Sequence, residues 1–124
     1  MRSNKEYQLY KQIAAYLRYR YKDVYYHFDQ AGLNLSKAQA GQMKAIQHSK
    51  GYPDLIVFHP DKKPLLLEIK PEGTKLYNKL GLPATPHIGE QLDCLAELRQ
   101  HGCCAEFAVG WDEAKNLIDD YLNL

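Results

Sequence analysis

Two apolar runs on either side of a polar turn constrain this chain more than any other feature of its sequence. Gly51-Tyr52-Pro53-Asp54-Leu55-Ile56-Val57-Phe58-His59 is followed, across Pro60-Asp61-Lys62-Lys63-Pro64, by Leu65-Leu66-Leu67-Glu68-Ile69-Lys70. Branched and aromatic residues favour pleated backbone, and the polar stretch bracketed by prolines is a turn signal, so the pair reads as a β-hairpin. Runs this apolar expect burial on both faces. Asp54, Glu68 and Lys70 break the pattern. A buried charge is costly unless it is paired or bound to a metal.

Strand geometry decides whether the three charges meet. Side chains alternate, so Glu68 and Lys70 share a face with Ile69 opposite. A three-residue loop, Pro60–Lys62 or Asp61–Lys63, brings Asp54 to that face. A two-residue loop centred on Asp61-Lys62 sends it to the other, unless the bend at Pro53 re-aims it. In the favourable register two carboxylates converge beside an ammonium. Such an oxygen cluster suits a hard divalent cation, whose charge would keep both carboxylates ionised against burial and mutual repulsion.

Pro53-Asp54 followed by Glu68-Ile69-Lys70 resembles the PD-(D/E)xK nuclease superfamily. With Gly51-Tyr52-Pro53-Asp54-Leu55, the short gap to Glu68 and a later helix carrying Gln91, the chain is similar to the virus-type replication-repair nuclease (VRR-NUC) domain. That domain is the nuclease module of the Fanconi-associated nuclease and also occurs as small stand-alone phage proteins. The similarity runs from Glu6 to the terminal helix. It implies an α/β fold: a restriction-endonuclease-like mixed sheet of about four strands flanked by helices, ordered α-β-β-β-α-β-α.

The resemblance also implies site roles. Asp54, Glu68 and the backbone carbonyl of Ile69 would bind one or two Mg²⁺ or Mn²⁺ ions. Lys70 would hold the attacking water or neutralise developing charge. The family's acid on the first helix is best matched by Glu6, and its glutamine by Gln91. Here Thr85-Pro86-His87-Ile88-Gly89-Glu90 precedes Gln91, where the family has a shorter, serine-led helix start. His87 and Glu90 are neighbours without a defined role. Stand-alone relatives act on branched DNA as homodimers, which implies a Holliday-junction-type endonuclease; cleavage of flap or nicked DNA is the alternative within the class. Outside the class stands a DNA-binding or assembly module in which Lys70 forms a structural ion pair with Asp54 or Glu68.

The remaining sequence is read from its residues. At 124 residues with 45% hydrophobic composition, a single domain over 1–124 is expected. No apolar run approaches membrane-spanning length and no signal peptide opens the chain, so no membrane partner is expected. Cys94, Cys103 and Cys104 form no disulfide framework and lack zinc-site spacing, which fits reduced thiols in a cytoplasm, bacterial or of a phage-infected host. The net charge of +1 conceals a division. Residues 1–50 carry nine Lys and Arg against three acids, about +6, and residues 51–124 carry seven against twelve, about −5. A basic front half suits a phosphate-rich partner, although any solvated helix can carry such charge. The resemblance implies that the partner is DNA rather than a small-molecule substrate, with Lys44, Lys50, Lys75 and Lys79 as candidate contacts.

Periodicity predicts the elements. A helix from Ser3 to about Lys22 is opened by a Ser3–Glu6 capping box, with Leu9, Ile13, Tyr16 and Leu17 inward. Glu6 continues that inward stripe, so it serves as cap, as site carboxylate, or as both. Val24–Phe28 alternates as a strand, Asp29-Gln30-Ala31-Gly32 is a turn, and Leu35–His48 holds a short helix begun by Ser36. His27 and His48 read as surface histidines. Glu72–Ala84 is a substrate-contacting loop, mobile without DNA. Thr85 caps a helix starting at Pro86, with Ile88, Gln91, Leu92, Leu95 and Leu98 inward, ending near Gly102. Cys103–Val109 is a strand, and Trp111-Asp112 starts a last helix burying Ala114, Leu117, Ile118, Tyr121 and Leu122.

Overall fold

A computed structural model describes residues 4–29 and 36–123. Eight elements follow in order: α1 (Asn4–Arg20), β1 (Tyr26–Phe28), α2 (Lys37–Ile46), β2 (Leu55–His59), β3 (Lys62–Lys70), α3 (Pro86–Gln100), β4 (Cys104–Val109) and α4 (Gly110–Leu122). The strands make one sheet in the order β1-β2-β3-β4. The first two pairings are antiparallel and β3–β4 is parallel, with α3 as the crossover that parallel neighbours require. The mixed α/β sheet flanked by helices is therefore present. α2 is the short helix expected within Leu35–His48, an eighth element that the implied order of seven does not count. Its start is held by a reciprocal box between Ser36 and Gln39, and it buries no side chain. Ser3 of the expected α1 capping box, Gln30–Gly32 of the expected turn, and Leu35 lie outside the described residues.

The sheet separates two apolar layers by strand parity. Leu55, Val57, Leu65, Leu67 and Ile69 pack with Leu9, Tyr10, Ile13 and Leu17 of α1 and with Ala114, Ile118 and Tyr121 of α4. On the other face Leu66 and Ala105 pack with Leu95 of α3, bordered by Ile56, Leu98 and Phe107. Full burial of each such side chain is worth roughly 1.5–3 kcal/mol, so the α1/α4 face carries most of the stability. Glu68, between Leu67 and Ile69, belongs by alternation to the α3 face. α3 starts as expected: Thr85 Oγ1 accepts from Ile88 N at 3.1 Å and Pro86 fills the first turn.

The hairpin turn differs from both loops considered above. β3 begins at Lys62 and contains Pro64, so only Pro60 and Asp61 turn the chain, and His59 faces Lys62. Carried to the other end, that tight turn would set Asp54 across the sheet from Glu68. A register shift between Val57 and His59 reverses the outcome: beyond it Val57 faces Leu65 and Leu55 faces Leu67. The extra residue lies on β3, where Lys63 and Pro64 together oppose Phe58, whose N–H donates to Tyr25 O at 3.0 Å. Asp54 thereby comes to the face of Glu68.

The Glu72–Ala84 segment, expected to be mobile, folds back on itself. Tyr77 bridges Pro83, Asn78 N donates to Leu82 O at 2.8 Å, and Ala84 N donates to Leu76 O at 2.9 Å.

α1 and α4 are joined by a polar knot. Asp119 accepts from Tyr16 Oη at 2.7 Å, Tyr21 Oη at 2.6 Å and Lys115 Nζ at 3.0 Å. Partial burial opposes its charge, yet these bonds from Tyr16, Tyr21 and Lys115 hold its carboxyl below the usual value. A depressed carboxyl stabilises the fold above its unfolded pKa of about 3.9 and loses that contribution as the pH falls through the folded value. We expect Asp119→Asn to cost about 1–2 kcal/mol at pH 7. Thermal melts from pH 7 down to 3 should show the gap to wild type closing in acid; a gap independent of pH would refute this origin.

Candidate functional site

The hairpin and the flanking helices enclose a cleft of about 910 Å³ at the C-terminal end of β3. Glu6, Asp54, Glu68, Ile69, Lys70 and Gln91 all line it. Glu68 is the pivot. It is 3% exposed, as is Gln91, and these are the two buried polar side chains among the described residues. Gln91 Nε2 donates to Glu68 Oε1, and Lys70 Nζ lies 3.9 Å from the same oxygen. The amide and the ammonium thus both serve Oε1. Glu68 Oε2 and Gln91 Oε1 are buried without a hydrogen-bond partner.

Asp54 is locked into the neighbouring strand. Its Oδ2 accepts from Ile69 N at 2.9 Å, its N–H donates to Leu67 O at 3.0 Å, and its own carbonyl accepts from Asp29 N at 2.7 Å. The Ile69 peptide is therefore held between Asp54 and the two charged residues that flank it. Burial, first of all, pushes the Glu68 carboxyl far above its ordinary range, to about 9. The charge of Asp54 pushes the same way, Lys70 opposes, and a hydrogen bond shared with Asp54 and the charge of Glu6 add to the rise. Glu68 therefore feels the charges of two other carboxylates as well as its own burial, and both favour its neutral form.

Gly51 explains why the stretch before Pro53 begins with glycine. Its φ is +83°, and a Cβ there would meet the Gln91 Cα and N and the Glu90 C at 3.1 Å. This turn presses against α3 and sets Gln91 beside Glu68. Gln91, expected on the inward face of α3, is buried and bonded to Glu68.

Of the candidate DNA contacts, Lys44 and Lys50 line the cleft, while Lys75 and Lys79 do not. His48 and His87 also line it; His48 is exposed, as the sequence reading expects. Asp29 and Tyr10 are cleft residues that no sequence signal revealed. Asp29 closes β1 only because β1 pairs with β2, a long-range pairing without local periodicity. Among the described residues, no three His, Cys, Asp or Glu side chains are gathered closely enough to form a ready cation cage. The donor set around Glu68 still fits a divalent ion. A buried carboxylate oxygen without a donor, beside a second carboxylate and a peptide, is oxygen chemistry that a hard cation completes.

Two outcomes follow from this geometry. In EDTA, a raised folded-state pKa makes wild-type stability fall as the pH climbs from about 4.5 toward 9. Glu68→Gln, neutral at every pH, should escape that loss, so its melting temperature relative to wild type should rise across the range; a constant difference would contradict the buried-proton picture. Gly51→Ala should lower stability by roughly 1–3 kcal/mol in chemical denaturation, because it meets both the positive φ and the α3 backbone.

No protein-family model and no curated protein matches the sequence. Solved structures do. One described as a "VRR_NUC domain protein" is 22% identical, covers 100% of this chain and 93% of its own, and superposes with a TM-score of 0.67. Another, described as "VRR_NUC domain", is 23% identical over 96% of this chain and 99% of its own, at 0.55. Over its whole length the chain therefore has the fold of the VRR-NUC domain, the one its Pro53-Asp54 and Glu68-Ile69-Lys70 residues resemble.

Proposed function

We propose that this chain is a metal-dependent endonuclease that hydrolyses phosphodiester bonds in branched DNA, such as Holliday junctions. One observation carries the reading: Glu68, whose buried Oε2 lacks a donor, lines a cleft that also holds Asp54, Glu6, Lys70 and Gln91. The fold it shares with VRR_NUC structures supports a nuclease in general. Asp54, Glu68 and the Ile69 carbonyl would hold one or two Mg²⁺ or Mn²⁺ ions, with Glu6 reaching the shell directly or through water. When bound, the ion would polarise the scissile phosphate and acidify a water.

The chain's own residues supply the rest. Gln91 fixes the orientation of Glu68 through Oε1, leaving Oε2 for the cation. Lys70 Nζ, its side chain 12% exposed, sits at the cleft wall where it would hold the attacking water or balance charge developing on the phosphate. Its ordinary role is that of a cation; proton abstraction would need a strongly lowered pKa. Lys44 and Lys50 line the route in and would meet phosphates, giving salt-dependent affinity. A homodimer would present two such clefts to the symmetric strands of a four-way junction. The Lys70–Glu68 pair at 3.9 Å also fits the second reading, a non-catalytic module with a structural ion pair.

Cation uptake and cleavage separate these readings. Calorimetry with Mn²⁺ should show uptake by wild type and its loss in Asp54→Asn; no uptake by wild type would favour the module. Labelled four-way, flap and linear DNA should be compared in Mg²⁺ and Mn²⁺. We expect preferential cutting of the branched forms, with Lys70→Ala slower by on the order of 100-fold. Cutting that survives the Lys70 change would remove its assigned role, and cutting of linear duplex alone would remove the junction preference.

A further inference from the structure

The loop between β3 and α3 ends in an apolar tip that nothing in the fold covers. Leu80 is 82% exposed, Leu82 57% and Tyr77 51%. A chain normally leaves leucines this open only where they are singly scattered or where they meet something. Here three occur within six residues, on a segment whose backbone is already committed. Asn78 Oδ1 accepts from both Leu80 N at 2.9 Å and Leu82 N at 3.1 Å. Gly81 donates to Asn78 O at 3.0 Å and turns the chain at φ +79°. The Tyr77–Pro83 bridge closes the base. The tip is a preformed knuckle.

Its stems place it at the cleft. One leaves Lys70 through Pro71; the other enters α3 at Pro86 and His87, and Lys70 and His87 both line the cleft. Pro83 lies against α3 at Gly89, where a Cβ would meet its ring carbons at 3.7 Å, two residues before Gln91. Lys75 and Lys79, on the same loop, have no acidic partner among the described residues. Cations beside exposed leucines match a partner with phosphates outside and apolar base faces inside.

We infer that Leu80 and Leu82 form a wedge that unstacks a base step next to the phosphate held in the cleft, while Lys75 and Lys79 grip the flanking backbone. The inference rests on the nuclease reading and adds a source of substrate selection. Apolar wedges unstack a step at a cost of a few kcal/mol, least where pairing is already interrupted, so the wedge favours branch points over continuous duplex. Lys75 and Lys79, which lie outside the cleft, thereby acquire a role that the site itself does not give them.

The test uses the full chain in Ca²⁺, with four-way and linear DNA carrying 2-aminopurine at the branch point or its linear equivalent. Wild type should raise the fluorescence of the branched probe severalfold and of the linear probe little. Leu80→Ala/Leu82→Ala, which alters only exposed side chains, should melt like wild type, lose that rise and bind the junction at least about tenfold more weakly. Lys79→Ala should keep the rise at saturating protein and reduce the salt slope of binding by about one. An unchanged rise in the double-leucine variant would overturn the wedge. So would sedimentation showing that the variant converts a dimer to a monomer with unstacking intact, since the tip would then belong to a second copy. If wild type cuts branched DNA but the leucine changes are silent, the wedge alone falls; if wild type neither binds nor cuts DNA, the nuclease reading falls with it.

Discussion

A carboxylate set into the apolar centre of a sheet is the constraint around which the α3 side of this protein is arranged. Glu68 is 3% exposed and is followed on its strand by Ile69 and Lys70. Its compensation is one-sided: the Gln91 amide donates to Oε1 and Lys70 stands 3.9 Å from it, while Oε2 has no donor. An ammonium at that distance lowers the cost of the charge without cancelling the desolvation. The remaining cost favours the protonated carboxyl, and a bound cation would offset it in the same way. Both occupants serve the same need, which is why the raised Glu68 pKa and the fit to a divalent ion are one fact seen twice.

Two backbone irregularities make that arrangement possible. A bulge in β3, where Lys63 and Pro64 oppose Phe58, moves the pairing by one residue, so that a two-residue turn still delivers Asp54 to the face of Glu68. Gly51, at positive φ, lets the incoming loop touch the α3 backbone at Gln91. Neither feature adds apolar burial. The α1/α4 face, with Ile13, Leu17, Val57, Leu67 and Ile118 fully enclosed, carries the stability against which this strained side is held. Stability and chemistry are thus divided between the two faces of one sheet.

The charge distribution follows the same division of labour. The cleft is lined by both signs of charge: Glu68 feels Asp54 and Glu6, and Lys44 and Lys50 are among the residues that enclose it. A polyanion can reach such a centre only if the basic groups attract its backbone and a cation neutralises the acids. The hydrogen-bonded loop that follows β3 adds exposed Leu80 and Leu82 to these charges.

Much of this was legible in the residues themselves. Period-3.6 stripes located α1, α3 and α4, Thr85-Pro86 marked the start of α3, and the interrupted apolar runs identified Asp54, Glu68 and Lys70 as a set. These are local signals, carried by neighbours in the chain, and local signals survive without coordinates. The sharing of one face by Asp54 and Glu68 was not local: turn length alone was ambiguous, and a bulge in β3 at Lys63-Pro64, opposite Phe58, decided it. Asp29 and Tyr10 joined the cleft through β1 pairing and helix docking, while Lys75 and Lys79 were left outside it by a loop that folded back on itself. Residue type and spacing determined which groups were available for chemistry; only long-range pairing and the contact between Gly51 and α3 decided which of them meet, because position across a sheet depends on register and close packing rather than on sequence distance.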